Sequence, residues 1–255
     1  MKIYVCVKHV PDSAATIAIK GTNQIDESVT FLLNPYDEHA VEEGVRLKAQ
    51  AEGSEVVAVA VGKEAAINTL QSVLAMGADR AILVKTDDPP DSILAARALK
   101  AAIEQDGKPD IIFTGKESID SEGMQTMFRL AAALDMPVAT NVVALSIDRN
   151  NALVESELEA GVRQSLEMQL PCIIAAGKGL NKPKYPTFID IRKAKKKETK
   201  QIDLDSLPIE KSAASMEILE LKPAVEQRQP TELKGPPEEA VLQLIEVLKN
   251  EAKVL

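Results

Sequence analysis

Residues 112–126, with the sequence IFTGKESIDSEGMQT, combine features that suit an anionic ligand. The segment begins as an apolar strand, passes Gly115 and a polar stretch, and enters a helix predicted over residues 121–135. The first N–H groups of a helix lack partners within it, and the helix dipole favours negative charge there. Gly123 leaves room for close approach, and the Thr126 hydroxyl could donate to a phosphate oxygen. The spacing of these residues is also compatible with an ordinary helix that binds no ligand and has Asp120 or Ser121 as its cap.

Two other stretches should reach the same place. Lys8 follows the first predicted strand in VKHVPD, and Asn34 precedes a predicted helix in LLNPYDEHA. Ligands of open α/β sheets bind beyond the carboxyl ends of the strands, where these segments converge. Lys8 could supply a positive charge to a ligand, and the Asn34 amide could form hydrogen bonds with an adenine ring. Alternatively, Lys8 is a solvated lysine at the end of a strand and Asn34 is a helix cap. Asp37 suits the dipole of a first helical turn better than a metal site.

Composition narrows the classes of function. The formal charge of −9 argues against a nucleic-acid-binding protein. Two cysteines outside any CxxC pattern and two histidines predict neither disulfides nor a zinc or iron–sulfur site. No signal peptide and no apolar run of membrane-spanning length is seen, so no membrane insertion is expected. No Ser/His/Asp or Cys/His arrangement suggests catalysis.

Strands and helices alternate along the first part of the chain, which predicts parallel βαβ units. A hairpin around DRNN and a buried strand at LPCIIAAG follow. We therefore expect an α/β, Rossmann-like parallel sheet with helices on both faces over residues 1–177. The predicted strands cover 2–10, 54–62, 79–86 and 109–115, and the predicted helices cover 34–53, 63–78, 90–107 and 121–135.

The rest of the chain has a different character. Residues 178–200 form a lysine-rich loop, and residues 201–235 are polar with little periodicity. Residues 236–255 predict an amphipathic helix with its apolar side chains on one side. Because such an extended C-terminal arm, residues 201–255, buries little by itself, we expect it to pack on a partner.

Six motifs together resemble the β subunit of electron transfer flavoprotein: VCVKHVPD, LNPYDEHAVEEGVRLK, LAMGADRAILV, GKESIDSEGMQT, LPCIIAAGKGLNKPKYPT and RKAKKK. They occur in the family's order between about residue 2 and about residue 200. The resemblance implies an adenine nucleotide alpha hydrolase-like fold that binds a structural AMP. It also implies a heterodimer whose α subunit holds most of one redox-active FAD, and an electron carrier rather than an enzyme. The implied partners are an acyl-CoA or similar flavin dehydrogenase of fatty acid oxidation and a quinone oxidoreductase, in the cytoplasm of a bacterium or a mitochondrial matrix.

The resemblance also implies specific residues. In residues 178–200 it implies a partner-recognition loop, with Phe188 where the family commonly has a Leu anchor and with Tyr185, Ile191, Lys193 and Lys196 around it. Met124 and Met127 stand where the family usually has Asn and Gly. The implied nucleotide-site residues are Cys6, Lys8, Asn34, Pro35, Tyr36, Asp37, Val61, Gly115, Lys116, Ser118, Asp120, Ser121, Gly123, Gln125 and Thr126.

Two alternatives remain open at this stage. In bifurcating relatives the β subunit holds a second FAD in place of AMP and oxidises NADH. In the other alternative the chain is a stand-alone adenine-nucleotide-binding regulator that needs no α subunit.

Overall fold

The computed structural model describes residues 1–210, 216–223 and 232–254. They fall into two units, Met1–Leu219 and Glu220–Leu255. The strands of the first unit are β1 (Lys2–Cys6), β2 (His9–Pro11), β3 (Ile19–Lys20), β4 (Gln24–Ile25), β5 (Phe31–Leu33), β6 (Glu55–Gly62), β7 (Arg80–Lys85), β8 (Ile111–Gly115), β9 (Val138–Asp148), β10 (Asn151–Glu157), β11 (Arg163–Gln169), β12 (Cys172–Ala176) and β13 (Thr199–Asp203). Its helices are α1 (Pro35–Gln50), α2 (Ile67–Met76), α3 (Ser92–Asp106), α4 (Thr126–Leu134) and α5 (Phe188–Ala194).

A nine-stranded sheet runs in the order β11-β10-β9-β12-β8-β1-β6-β7-β13. In this spatial order, each strand from β9 onward is parallel to its neighbour: β9, β12, β8, β1, β6, β7 and β13. Strands β10 and β11 pair antiparallel at the other end of the sheet, beside β9. Two short pairs, β2 with β5 and β3 with β4, lie outside this sheet. The expected α/β, Rossmann-like fold is confirmed.

Helices cover both faces of the parallel strands, which explains why β6 reads as a continuous apolar run. One core cluster joins alternate strand residues to α1 and α2, and a second joins the intervening residues to α3 and α4. The two clusters follow the period of two along each strand: Ile111 and Phe113 belong to the cluster with α1, whereas Ile112 belongs to the cluster with α3 and α4. Each strand end therefore presents neighbouring residues to opposite sides of the sheet.

The sheet continues past residue 177, where the sequence placed the end of the domain. Strand β13 pairs in parallel with β7, and the buried residues Ile202, Leu204 and Leu207 pack in the same cluster as α3. The unit consequently extends to Leu219. Residues 178–200 are not one loop either, because they contain α5 and the beginning of β13.

Two other elements also differ from the prediction. The strand predicted over 2–10 divides, because the chain leaves β1 after Cys6 and β2 pairs with β5 instead. Helix α4 begins at Thr126, five residues later than predicted, and its start has no side-chain cap. The residues before it form an irregular turn in which Glu122 and Met124 both have a φ of 47°.

The second unit contains α6 (Pro237–Asn250), the amphipathic helix expected near the C-terminus. Its apolar side chains Val241, Leu242, Leu244 and Ile245 are exposed. Across the residues that the structure describes, no helix is long and apolar enough to cross a membrane.

Candidate nucleotide site and partner surface

The carboxyl ends of β1, β6 and β8 lie side by side and carry the predicted site. Cys6 pairs with Val59 in the register of β1 and β6, and Val61 lies near the end of β6. Gly115 ends β8, and its neighbour Lys116 donates its backbone N–H to the Ala176 carbonyl of β12 at 3.1 Å. The parallel arrangement thus brings these sequence-distant residues to one edge.

Asp37 ties the two central strand ends together from α1. Its carboxylate accepts the backbone N–H of Lys8 at 2.7 Å and that of Gly115 at 3.0 Å. Only 5% of the residue is exposed, and this burial raises the pKa of the Asp37 carboxyl to about 7. A Cβ at position 115 would lie 2.4 Å from the Asp37 Oδ1 atom, so glycine is required for this contact.

Asn34 holds the segment that follows Gly115. Its side-chain Nδ2 donates to the Glu117 carbonyl at 2.8 Å, and its Oδ1 accepts the Ile119 N–H at 3.2 Å. The side chain makes no capping hydrogen bond to α1. Both polar atoms of the amide are therefore bonded to protein backbone, and the expected helix cap is not formed.

Lys8 lies among the polar side chains of the turn between β8 and α4. Its Nζ is 2.7 Å from Asp120 Oδ1, 3.3 Å from Ser118 Oγ and 3.4 Å from Ser121 Oγ. The two serine hydroxyls are 2.9 Å apart. Asp120 and Ser121 thus contact Lys8 and do not cap a helix, because α4 begins later.

Lys116 and Tyr36 form another contact beside this cluster. The Lys116 Nζ lies 5.1 Å from the centre of the Tyr36 ring and 3.1 Å from Glu117 Oε1. Pro35 is the first residue of α1 and is exposed. These residues border the Gly115 turn on the α1 side of the sheet.

Helix α4 begins on the opposite side of the sheet from α1. Gly123 and Gln125 are exposed in the turn before it, and Thr126 is its first residue. Met127 is buried in the core, whereas Met124 is 38% exposed and belongs to the turn. The amino end of α4 is therefore the part of this helix that reaches the carboxyl edge.

Thr114 was not singled out from the sequence. Its hydroxyl is buried, with no hydrogen-bond partner among the residues that the structure describes. It occupies the last position of β8 before Gly115, on the face shared with Ile112 and Cys6. The sequence feature that could have identified Thr114 is a polar residue within an otherwise apolar strand.

A second surface, here called the α5 surface, comprises Tyr185 and the exposed residues of α5. Tyr185 is 94% exposed and Phe188 is 83% exposed, and Ile189 and Ile191 are exposed beside them. Phe188 is the first residue of a helix and not part of a loop, because Thr187 and Asp190 form a reciprocal capping box. Lys193 and Lys196 add exposed positive charge at the end of the helix.

The segment before the α5 surface is fixed to α1. Asn181 Nδ2 donates to the His39 carbonyl and to Glu43 Oε2, each at 2.9 Å. Its Oδ1 lies 3.1 Å from His39 Nδ1, and the Lys184 N–H donates to Glu42 Oε2 at 3.2 Å. The buried Glu42 and Glu43 of α1 thereby hold the base of this surface.

Comparison with known proteins identifies the family. The model of the electron transfer flavoprotein domain matches residues 22–207. The chain is 33% identical over 260 residues to the electron transfer flavoprotein subunit beta of Bacillus subtilis and 36% identical over 259 residues to the mitochondrial subunit beta of Arabidopsis thaliana, with 100% of each chain covered. It is 35% identical over 218 residues to the human subunit beta, which covers 82% of this chain and 84% of the human one. The chain therefore belongs to the electron transfer flavoprotein beta subunit family.

Proposed function

We propose that this beta subunit binds AMP at the carboxyl edge of its sheet, helps to seat the FAD of an alpha subunit and docks flavin dehydrogenases. Electrons would pass from an acyl-CoA or similar dehydrogenase through the flavin toward a quinone oxidoreductase. The flavin supplies the redox chemistry, and this chain supplies binding and placement. The alternative of a stand-alone regulator is set aside, because the Bacillus subtilis and Arabidopsis thaliana relatives match over their whole length and carry the name of a subunit.

The observation that supports AMP binding is the fixed turn after β8. Asp37 and Asn34 hold its backbone, so the position of the segment from Gly115 to Ile119 is fixed by hydrogen bonds within the protein. The amino end of α4 favours a negative group beside this turn, and Lys8, which forms an ion pair with Asp120, lies close enough to contact such a group. Because the Asp37 and Asn34 side chains are bonded to backbone, we assign them to positioning and leave ligand contact to Lys8, Gln125 and Thr126.

The content of the nucleotide site can be tested by stoichiometry. We would co-express the chain with its alpha subunit, denature the purified heterodimer and separate the released nucleotides chromatographically. We expect one AMP and one FAD for each heterodimer. Two FAD and no AMP would show the bifurcating arrangement, and one FAD with no second nucleotide would reject a nucleotide site in this subunit.

The α5 surface supports the docking part of the proposal. An apolar anchor surrounded by charge suits a small, transient interface, and exposed lysines increase the rate of encounter with an acidic partner. Phe188 projects from a helix whose base is fixed to α1, so its position requires little ordering on binding.

A pair of substitutions tests this assignment. Phe188→Ala should lower the rate of electron transfer from the dehydrogenase at least tenfold at limiting concentrations, because the anchor side chain is lost. Phe188→Leu should retain most of the rate, since an apolar anchor remains. Normal transfer by the Phe188→Ala protein would show that docking occurs elsewhere, and an unchanged melting temperature would exclude misfolding as the cause of a loss.

A further inference from the structure

We propose that Thr114 is an additional nucleotide-binding residue, whose hydroxyl donates a hydrogen bond to an oxygen of the bound nucleotide. This inference rests on the proposed AMP site. The inference assigns a ligand contact to strand β8, in addition to the contacts proposed for the turn that follows Gly115.

Thr114 lies in a row of side chains that crosses three neighbouring strands of the sheet. The register pairs it with Ala175 of β12, and the register of β1 and β8 continues from Val5–Phe113 to bring Cys6 opposite it. Neighbouring residues in register point to the same face of a parallel sheet. Ala175, Thr114 and Cys6 therefore form a row of small side chains at the carboxyl edge, all on the face of the sheet that α3 and α4 cover together.

The Thr114 hydroxyl is buried and lacks a hydrogen-bond partner among the described residues. Thr114 as a whole is 7% exposed. A buried hydroxyl without a partner costs stability, so such a group calls for a partner. The amino end of α4 lies over the same face, where the helix dipole favours an anionic ligand. A nucleotide oxygen at this position would accept the Thr114 hydrogen and remove the cost.

Thr199 has a similar hydroxyl at a different place in the sheet and can serve as a control. Thr199 Oγ1 is also buried and without a partner among the described residues. Thr199 begins β13 and pairs with Ala81 near the beginning of β7, at the amino edge of the sheet. The two threonines thus share their chemistry but lie at opposite edges, which makes Thr199 a matched control.

The experiment measures AMP affinity by calorimetry on heterodimer from which the nucleotide has been removed. Thr114→Val should weaken AMP binding about tenfold, since it loses a hydrogen bond to a charged or polar ligand group. Thr114→Ser should bind nearly as tightly as the wild type, because the hydroxyl remains. Thr199→Val should leave AMP affinity unchanged.

Thermal unfolding provides a second measurement. Without AMP, Thr114→Val should melt at the same temperature as the wild type or higher, because a methyl group replaces an unpartnered hydroxyl. Added AMP should raise the melting temperature of this variant less than that of the wild type. Equal AMP affinity of Thr114→Val and the wild type would overturn the assignment of Thr114 while leaving the proposed function intact. A wild-type heterodimer that binds no AMP would overturn both.

Discussion

Asp37 and Asn34 illustrate how single polar side chains shape the candidate site. Both were expected beside the nucleotide, and the structure shows that their hydrogen bonds go to backbone N–H and carbonyl groups of Lys8 and the Gly115 turn. Sequence motifs locate such residues but do not show which atoms they contact, because those contacts join segments far apart in the chain. The same reason explains why Thr114 was not identified from the sequence: only the folded sheet shows that its hydroxyl has no partner among the residues described by the structure.

Gly115 provides a direct test of the contact with α1. Gly115→Ala should lower the free energy of unfolding by about 1–3 kcal/mol, because the new Cβ would overlap Asp37 Oδ1 and the Cβ atom of Tyr36. Gly123→Ala is the matched control, since no described residue other than its chain neighbours would lie within 4 Å of a Cβ there. Chemical denaturation of both variants measures the difference. Equal stability of the two would contradict the close packing described here.

Asp37 should also make stability depend on pH. Burial raises the pKa of its carboxyl from 3.8 to about 7 in the folded chain, so the folded state binds this proton more tightly than the unfolded state does. Its contribution to the free energy of unfolding is therefore fully present below about pH 4 and is lost as the pH rises through about 7. Denaturation of the wild type and Asp37→Asn at several pH values isolates this contribution. The difference, wild type minus variant, should fall across that range, and a constant difference would contradict the raised pKa.

At the level of elements, the strands and helices of the first half were predictable because their apolar periodicity is local. The buried run of β6 and the stripe of α2 are examples. The start of α4 was misplaced because the preceding turn uses left-handed backbone at Glu122 and Met124, which neither residue type signals. Strand β13 was missed because its polar sequence, TKQID, acquires a buried position only by pairing with β7.

The attachment of the segment before α5 makes a prediction at this scale. Asn181→Ala should lower the free energy of unfolding by about 1–3 kcal/mol, because the amide joins the His39 backbone and the Glu43 side chain. Hydrogen exchange should increase in residues 181–187, which lose the Asn181 contacts with α1 and keep the hydrogen bond from the Lys184 N–H to Glu42. Asn23→Ala is the control, since its amide makes a solvent-exposed hydrogen bond to the Ile218 carbonyl. Unchanged exchange in the Asn181 variant would show that other contacts hold this segment.

For the whole molecule, the sequence identified a domain and an arm but placed their division too early. The two units divide after Leu219, and the second contains a helix with an exposed apolar side. Periodicity predicted α6 because the pattern lies within the helix itself. It could not identify what covers the helix, since that surface belongs to another chain under the proposed function.

Helix α6 leads to a prediction for assembly. Replacing Leu242 and Ile245 together by Glu should weaken binding to the alpha subunit at least tenfold, because two charges would have to be buried in the interface. The melting temperature of the first unit should not change. Gln243→Glu adds charge at a neighbouring position of the same helix and should have a smaller effect. Sedimentation of mixed subunits measures the affinity, and tight assembly of the double variant would show that α6 lies outside the interface.

The position of β12 between β8 and β9 has a consequence for biosynthesis. Strand β8, which precedes the Gly115 turn, pairs on one side with β1, and β1 is synthesised before it. On the other side β8 pairs with β12, which is synthesised only after β9, β10 and β11. While the ribosome is translating β9 to β11, one flank of β8 has no neighbour and offers its backbone to any other nascent strand. Folding yield in the cell should therefore depend on how quickly translation passes Ala176 and how well chaperones shield that flank until then.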